Sequence, residues 1–184
     1  MSKRLESVGV VPSEETRRSY RSAMLSTPGL EDNISGVILF DETIRQRMDD
    51  GTLFPEHLNR RGIIPGIKVD TGAKPLAGHP NETVTEGLDG LRDRCKEYYS
   101  MGARFAKWRA VISISRDCPT EASISVNAHA LARYAAICQE QGLVPIIEPE
   151  VLMSGPHTLE DCASVTAMAP VSYTHLRAHE TRNY

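Results

Sequence analysis

No two of the four cysteines stand close together. Cys95, Cys118, Cys138 and Cys162 are 23, 20 and 24 residues apart, with no C-x-x-C pair. A disulfide-stapled secreted domain would be denser in cysteine, and a zinc site would show close pairs. The expectation is reduced thiols in a cytosolic protein. No H-E-x-x-H is present either; of the six histidines only His175 and His179 are four apart. No stretch reaches the roughly 18 uninterrupted apolar residues of a membrane span. The charged opening Met1-Ser2-Lys3-Arg4-Leu5-Glu6 has no apolar core behind it, so no secretory signal is expected. With 21 Lys and Arg against 24 Asp and Glu, there is no basic surplus for nucleic acid or an anionic membrane.

What remains is ordinary for a globular chain: 184 residues, 40% hydrophobic and 24% charged. That suits one domain or part of a larger one.

Helical and strand patterns alternate. Ser13 precedes Glu14-Glu15, a small hydroxyl followed by acids, and predicts a helix start, with Tyr20, Ala23 and Met24 as its apolar stripe. Strands are predicted at 36–40, 62–70, 105–113 and 143–151, with a turn at Asp49-Asp50-Gly51. A helix is predicted over about 85–101 on Leu88, Leu91, Cys95 and Tyr98. Another runs from a Thr120 cap to about Gln141, with Val126, Ala130, Tyr134 and Cys138 as its stripe and Gly142 at its end. A further helical pattern begins at Thr158.

Strands separated by helices imply parallel βαβ units, and strands apolar on both faces are expected when helices cover the sheet. An open doubly wound sheet and part of a (β/α)8 barrel both fit. Neither G-x-G-x-x-G after a strand nor G-x-x-x-x-G-K-[ST] occurs, which weighs against a nucleotide-binding open sheet. The expected fold class is α/β: a partial (β/α)8 TIM barrel with about four of its eight strands.

Three strands end in charges spaced i, i+2: Lys68 and Asp70, Lys107 and Arg109, Glu148 and Glu150. Alternating side chains put both members of each pair on one face. In a barrel that face is the interior near the carboxyl-terminal rim, where such folds do their chemistry. Three cations and three anions there suit one network, proton transfer on a carbonyl substrate, and phosphate binding. A structural salt-bridge lattice is the plainer alternative. A third reading makes Asp70, Glu148 and Glu150 ligands for Mg²⁺ or Mn²⁺, against which the three cations weigh.

The segments KRLESVG, SGVILFDET, GIIPGIKVDTG, PLAGHPNETVTEGLDGL, GARFAKWRAVISI and NAHALARYAAICQEQGLVPIIEPEVL stand in this order. Over residues 3–168 they resemble class I, Schiff-base fructose-bisphosphate aldolase. The resemblance implies a (β/α)8 barrel and reversible cleavage of fructose 1,6-bisphosphate to dihydroxyacetone phosphate and glyceraldehyde 3-phosphate. It further implies a cytosolic homotetramer in glycolysis, no metal cofactor, and neither nucleic acid nor membrane as partner. Glu148 then matches the general acid/base of Schiff-base formation, and Glu150 its partner acid. Lys107 matches the lysine that contacts substrate and helps carbinolamine dehydration. Arg109 matches the arginine holding this charge network, and Lys68 and Asp70 match neighbouring charges of the same site. Arg4, with Lys3 beside it, matches the phosphate region. Arg17 matches a helix arginine assigned to substrate binding, or else lies on a solvated helix face.

The resemblance also implies residues that this sequence does not contain. The aspartate acting on the C4 hydroxyl belongs to a segment before KRL. The Schiff-base lysine belongs to a strand reading like L-E-G-x-L-L-K-P, and no lysine follows Lys107. Without that amine there is no covalent electron sink, so the chain alone is expected to be inactive. Half a barrel also leaves two open parallel edges and one sheet face without its barrel partners, so poor solubility is expected. From about Ala169 the text changes to PVSYTHLRAHETRNY, and 169–184 is expected to be a non-native tail in which His175 and His179 have no function.

Overall fold

The computed structural model of the chain describes residues 2–180, with side chains through residue 174. The expectations for His175, His179 and the last residues of the tail lie outside the described side chains. A short α1 (Ser2–Glu6) precedes α2 (Glu14–Leu25) and a 3-10 turn at Leu30–Asp32. Then come β1 (Gly36–Leu39), α3 (Asp41–Arg45), α4 (Phe54–Arg60) and β2 (Ile64–Lys68). A hairpin of β3 (Gly72–Pro75) and β4 (Thr83–Glu86) leads to α5 (Leu91–Ser100) and β5 (Phe105–Ile112). The chain ends with α6 (Glu121–Glu140), β6 (Val144–Val151) and α7 (Leu159–Glu180).

The local signals act as their chemistry requires. Ser13 Oγ accepts from the Thr16 amide at 3.0 Å while Thr16 Oγ1 accepts from the Ser13 amide at 2.8 Å, a reciprocal cap. Thr120 Oγ1 accepts from the Ser123 amide at 3.2 Å to start α6. Gly142, at φ +78°, ends that helix in a conformation that glycine takes at little cost.

Four strands form one parallel sheet in the order β1-β2-β5-β6. Every connection between neighbours contains a helix, and those helices gather on one face of the sheet. There Ile67, Val69, Ala106, Trp108 and Ala110 are buried against Leu91, Cys95, Tyr134 and Cys138. On the other face Ile38, Ile64, Val144 and Ile146 are exposed. Among the described residues the sheet is covered on one side only, the uncovered face expected of a partial barrel. That is the geometry of a barrel arc, whose second face looks inward.

Three expectations change. The helix expected over 85–101 begins only at Leu91, because Thr83–Glu86 pairs antiparallel with Gly72–Pro75 and Gly90 turns the chain at φ +63°. The expected stripe of α2 faces outward: Tyr20 and Met24 are exposed, while Ser22 and Leu25 are buried. Its inner side is held by charge, with Arg17 and Arg21 both on Glu42 of α3 at 2.5 Å. Val126 is likewise exposed on α6, whereas Ala130, Tyr134 and Cys138 are buried.

The last helix continues past residue 169, with Pro170 inside it. Val165, Ala169 and Tyr173 recur every fourth position and are buried.

Candidate active site

Strand parity puts all six strand-end charges on the uncovered face. On β5, Phe105, Lys107 and Arg109 share that face, and Ala106, Trp108 and Ala110 share the other. Register sets the levels: Lys68 lies beside Lys107, and Arg109 beside Glu148.

Three ion pairs climb across the sheet. Lys68 Nζ meets Asp70 Oδ1 at 2.5 Å and also donates to the Asp70 carbonyl at 3.1 Å. Lys107 Nζ meets Glu148 Oε1 at 2.9 Å. Arg109 meets Glu150 Oε2 at 3.1 Å. The single network expected from sequence resolves into three separate pairs on one face; no bridge or hydrogen bond joins them among the described residues.

Exposure differs along the ladder. The Asp70 side chain is 4% exposed, while those of Glu148 and Glu150 are 37% and 38% exposed. Asp70 Oδ1 also accepts from the Gly72 amide at 3.1 Å, which leaves buried Oδ2 without a partner. A buried acceptor without a donor costs free energy, so it is a point where a hydroxyl or water would bind favourably.

The backbone beneath these charges is anchored from the helix side. Tyr134 of α6 donates its hydroxyl proton toward the carbonyls of Ala106 at 2.7 Å and Ile146 at 3.2 Å, tying β5 to β6. Burial pushes that phenol's pKa well up, so it stays a neutral donor. Its ring lies against Trp108 with centroids 5.3 Å apart. At the foot of the site, Gly66 has no side chain because the Phe105 ring lies over it; a Cβ there would sit 2.3 Å from the ring.

Sequence reasoning missed the hairpin's part in the site. Thr85 Oγ1 donates to the Arg109 carbonyl at 2.7 Å, and Thr83 Oγ1 to the Val111 carbonyl at 3.1 Å. Asn127 of α6 is buried and fixes the hairpin by donating to the Thr83 carbonyl at 2.8 Å and accepting from the Thr85 amide at 3.3 Å. Glu82 accepts from the Thr120 amide and hydroxyl, both at 2.7 Å. Burial alone would raise its carboxyl, but the hydrogen bonds from Thr120, together with Ser123 and the His79 charge, outweigh it and hold the group below the usual range. Alternating threonines in T-V-T were the available signal for a short strand there.

Other predicted residues lie apart from the ladder. Lys3 and Arg4 are exposed on α1, without an ion pair among the described residues. Arg17 is engaged by Glu42. Each carboxylate of the proposed Mg²⁺ or Mn²⁺ set is paired with a cation, and no group of three or more His, Cys, Asp or Glu is arranged to hold a metal among the described residues. A pocket of about 510 Å³ opens beyond the ends of β5 and β6, lined by Ile114, Arg116, Cys118 and His157 among others, and contains none of the six charges. No helix among the described residues is long and apolar enough to cross a membrane.

A family model, fructose-bisphosphate aldolase class-I, matches residues 1–181. A probable fructose-bisphosphate aldolase class 1 from Xanthomonas axonopodis pv. citri is 63% identical over 166 residues, covering 90% of this chain and 50% of the relative. The cytosolic fructose-bisphosphate aldolase 6 of Arabidopsis thaliana is 54% identical, with 90% and 46% covered. The fructose-bisphosphate aldolase of Plasmodium falciparum, solved with TRAP and a small-molecule inhibitor, superposes with a TM-score of 0.92 at 46% identity, covering 96% of this chain and 51% of its own. The chain thus spans about half the length of the curated relatives it matches. Its parallel sheet, with helices outside and charges inside, is an arc of the same barrel, and the chain belongs to the class-I fructose-bisphosphate aldolase family.

Proposed function

We propose that this chain carries the acid–base part of an aldolase centre that reversibly cleaves fructose 1,6-bisphosphate to dihydroxyacetone phosphate and glyceraldehyde 3-phosphate. The imine forms on a lysine outside the sequence given. The observation that carries this reading is the ladder of ion pairs on one uncovered face, with Lys107 and Glu148 at 2.9 Å in its middle. A carboxyl group hydrogen-bonded to an ammonium is placed to pass protons to and from a carbonyl or hydroxyl held between them. Glu148 moves protons as the imine forms and opens. Lys107 binds the substrate oxygen and helps water leave the carbinolamine. Glu150, held by Arg109, lies two residues from Glu148 on the same face and tunes it electrostatically. Lys68 and Asp70 extend the polar floor, with Asp70 Oδ2 as an open acceptor. Arg4 and Lys3 serve the phosphate region. Arg17 is the weaker candidate for substrate binding, since Glu42 already holds its guanidinium. The parent protein acts as a cytosolic homotetramer.

The 184 residues alone are inactive on this reading. No lysine follows Lys107, and the Lys68 and Lys107 amines are both engaged by carboxylates.

Borohydride reduction in the presence of dihydroxyacetone phosphate tests both statements. A full-length protein carrying these residues gives a reduced covalent adduct, and the 184-residue chain gives none. An adduct on Lys68 or Lys107 of the chain would overturn its inactivity. In the full-length protein, Glu148→Gln slows imine formation about 10²–10⁴-fold. An unchanged rate would remove Glu148 from the mechanism. Loss of activity to a chelator would favour the metal reading instead.

A further inference from the structure

Two outer helices bring a pair of thiols together on the side of the sheet away from the charge ladder. Cys95 lies on α5 and Cys138 on α6, 43 positions apart, with their sulfurs at 3.8 Å. Both are free cysteines, and both are 0% exposed. The helical periodicity that buries Leu91, Cys95 and Tyr98 on one helix, and Tyr134 and Cys138 on the other, sets the two sulfurs face to face. The aldol chemistry uses neither. Cys118 and Cys162 are only partly buried and have no sulfur partner among the described residues.

We propose that Cys95 and Cys138 form a redox site that a small hydroperoxide converts into an intramolecular disulfide, stapling α5 to α6. Disulfide sulfurs lie about 2.05 Å apart, so these two begin in contact and need only a small further approach. The roles of the pair are unequal. The hydrogen bond shared with Cys138 holds the Cys95 thiol below its ordinary range, with the Arg94 charge assisting. The same partnership, with burial, pushes Cys138 well up. In the order proposed, Cys95 is the attacking thiolate and Cys138 the resolving thiol; sulfenic acid trapped on Cys95 in Cys138→Ser supports it, and sulfenic acid trapped on Cys138 in Cys95→Ser overturns it.

In the first step the Cys95 sulfur attacks one peroxide oxygen. An S–O bond forms, the O–O bond breaks, and the departing hydroxide takes up the proton that Cys95 released. In the second, Cys138 attacks the sulfur of the sulfenic acid. The S–S bond forms, the S–O bond breaks, and the leaving hydroxide takes the Cys138 proton. Two thiols lose two electrons and two protons, and one hydrogen peroxide becomes two waters. Burial selects a small oxidant, because a bulky disulfide such as oxidised glutathione has no route to either sulfur. α5, which carries Cys95, lies between two positive-φ glycines, Gly90 at φ +63° and Gly102 at φ +106°, and a slight local displacement there would admit a peroxide without admitting a tripeptide disulfide.

The test treats the folded chain with hydrogen peroxide or with oxidised glutathione, followed by peptide mapping. Peroxide should yield a 95–138 cross-link, a mass loss of two hydrogens and a higher urea midpoint, all reversed by a dithiol reductant. Oxidised glutathione should leave both residues as thiols. Cys95→Ser and Cys138→Ser should each abolish the cross-link, and Cys118→Ser and Cys162→Ser should leave it intact. Sulfinic acid on Cys95 beside a free Cys138 would overturn the proposal. So would a cross-link through Cys118 or Cys162, or oxidation confined to those two in the unsubstituted chain.

Discussion

Lys107 passes over its register partner on the next strand, Ile146, and meets Glu148 two residues further along at 2.9 Å. Arg109 does the same, bypassing Glu148 for Glu150. Each cation therefore leans toward the carboxyl-terminal ends of the strands. The lean is what turns neighbouring charges into a ladder and concentrates them at one rim.

The Lys107–Glu148 bond should be worth little to stability, because the face is open to water. A double-mutant cycle of Lys107→Met and Glu148→Gln is expected to give a coupling of about 0.2–1 kcal/mol in urea denaturation. A coupling of several kcal/mol would make the pair a structural strut.

Tyr134→Phe keeps the ring against Trp108 but removes the hydroxyl from the carbonyls of Ala106 and Ile146. One buried and one part-buried acceptor then lose a donor, at an expected cost of about 1–3 kcal/mol. The urea midpoint should fall, and amide exchange along β5 and β6 should quicken.

Glu42 gives a pH signature. Hydrogen bonding from Arg17, and then from Arg21, lowers its pKa from 4.5 to about 2 against the opposing effect of burial. A depressed native pKa means stability that is fully present above the unfolded value and is lost as pH falls through the folded one. Stability should therefore decline between 4.5 and about 2, a decline that Glu42→Gln flattens. An identical pH profile for the variant would deny the ion pair its role.

Asn127→Ala should loosen the hairpin. It removes the donor to the Thr83 carbonyl and the acceptor for the Thr85 amide in a buried setting. The expected cost is about 1–3 kcal/mol. Hydrogen exchange in 83–86 should rise more than in β6, whereas a uniform rise would point to global destabilisation instead.

The exposed apolar residues Ile38, Phe40, Ile64 and Val144 on the uncovered face should make the isolated chain associate. Light scattering is expected to grow with concentration, and a sharp monomeric melt independent of concentration would contradict this.

The strands, their parallel order and the shared face of the charge pairs were all legible, because each rests on spacing within a few residues. Period two along F-A-K-W-R puts Lys107 and Arg109 together whatever surrounds them. What escaped depends on distant partners. Tyr20, Ala23 and Met24 have the spacing of a buried stripe, but Glu42, far along the chain, draws Arg17 and Arg21 inward and turns that stripe out. Thr83–Glu86 looked like the approach to a helix because its strand partner, Gly72–Pro75, carries no apolar pattern. The one-sided cover of the sheet followed from the partial barrel, but which apolar residues lie on the open side did not: Ile38 and Ile64 are as apolar as buried strand residues, and only the helices' placement distinguishes the faces.

The order β1-β2-β5-β6, with every strand running the same way, gives the sheet two unlike margins. Copies joined margin to margin, β6 against β1, keep a single polarity, like arrows laid side by side. Such joining is head-to-tail, so its curvature alone decides between two outcomes: a closed ring of two arcs, or a ribbon that goes on lengthening.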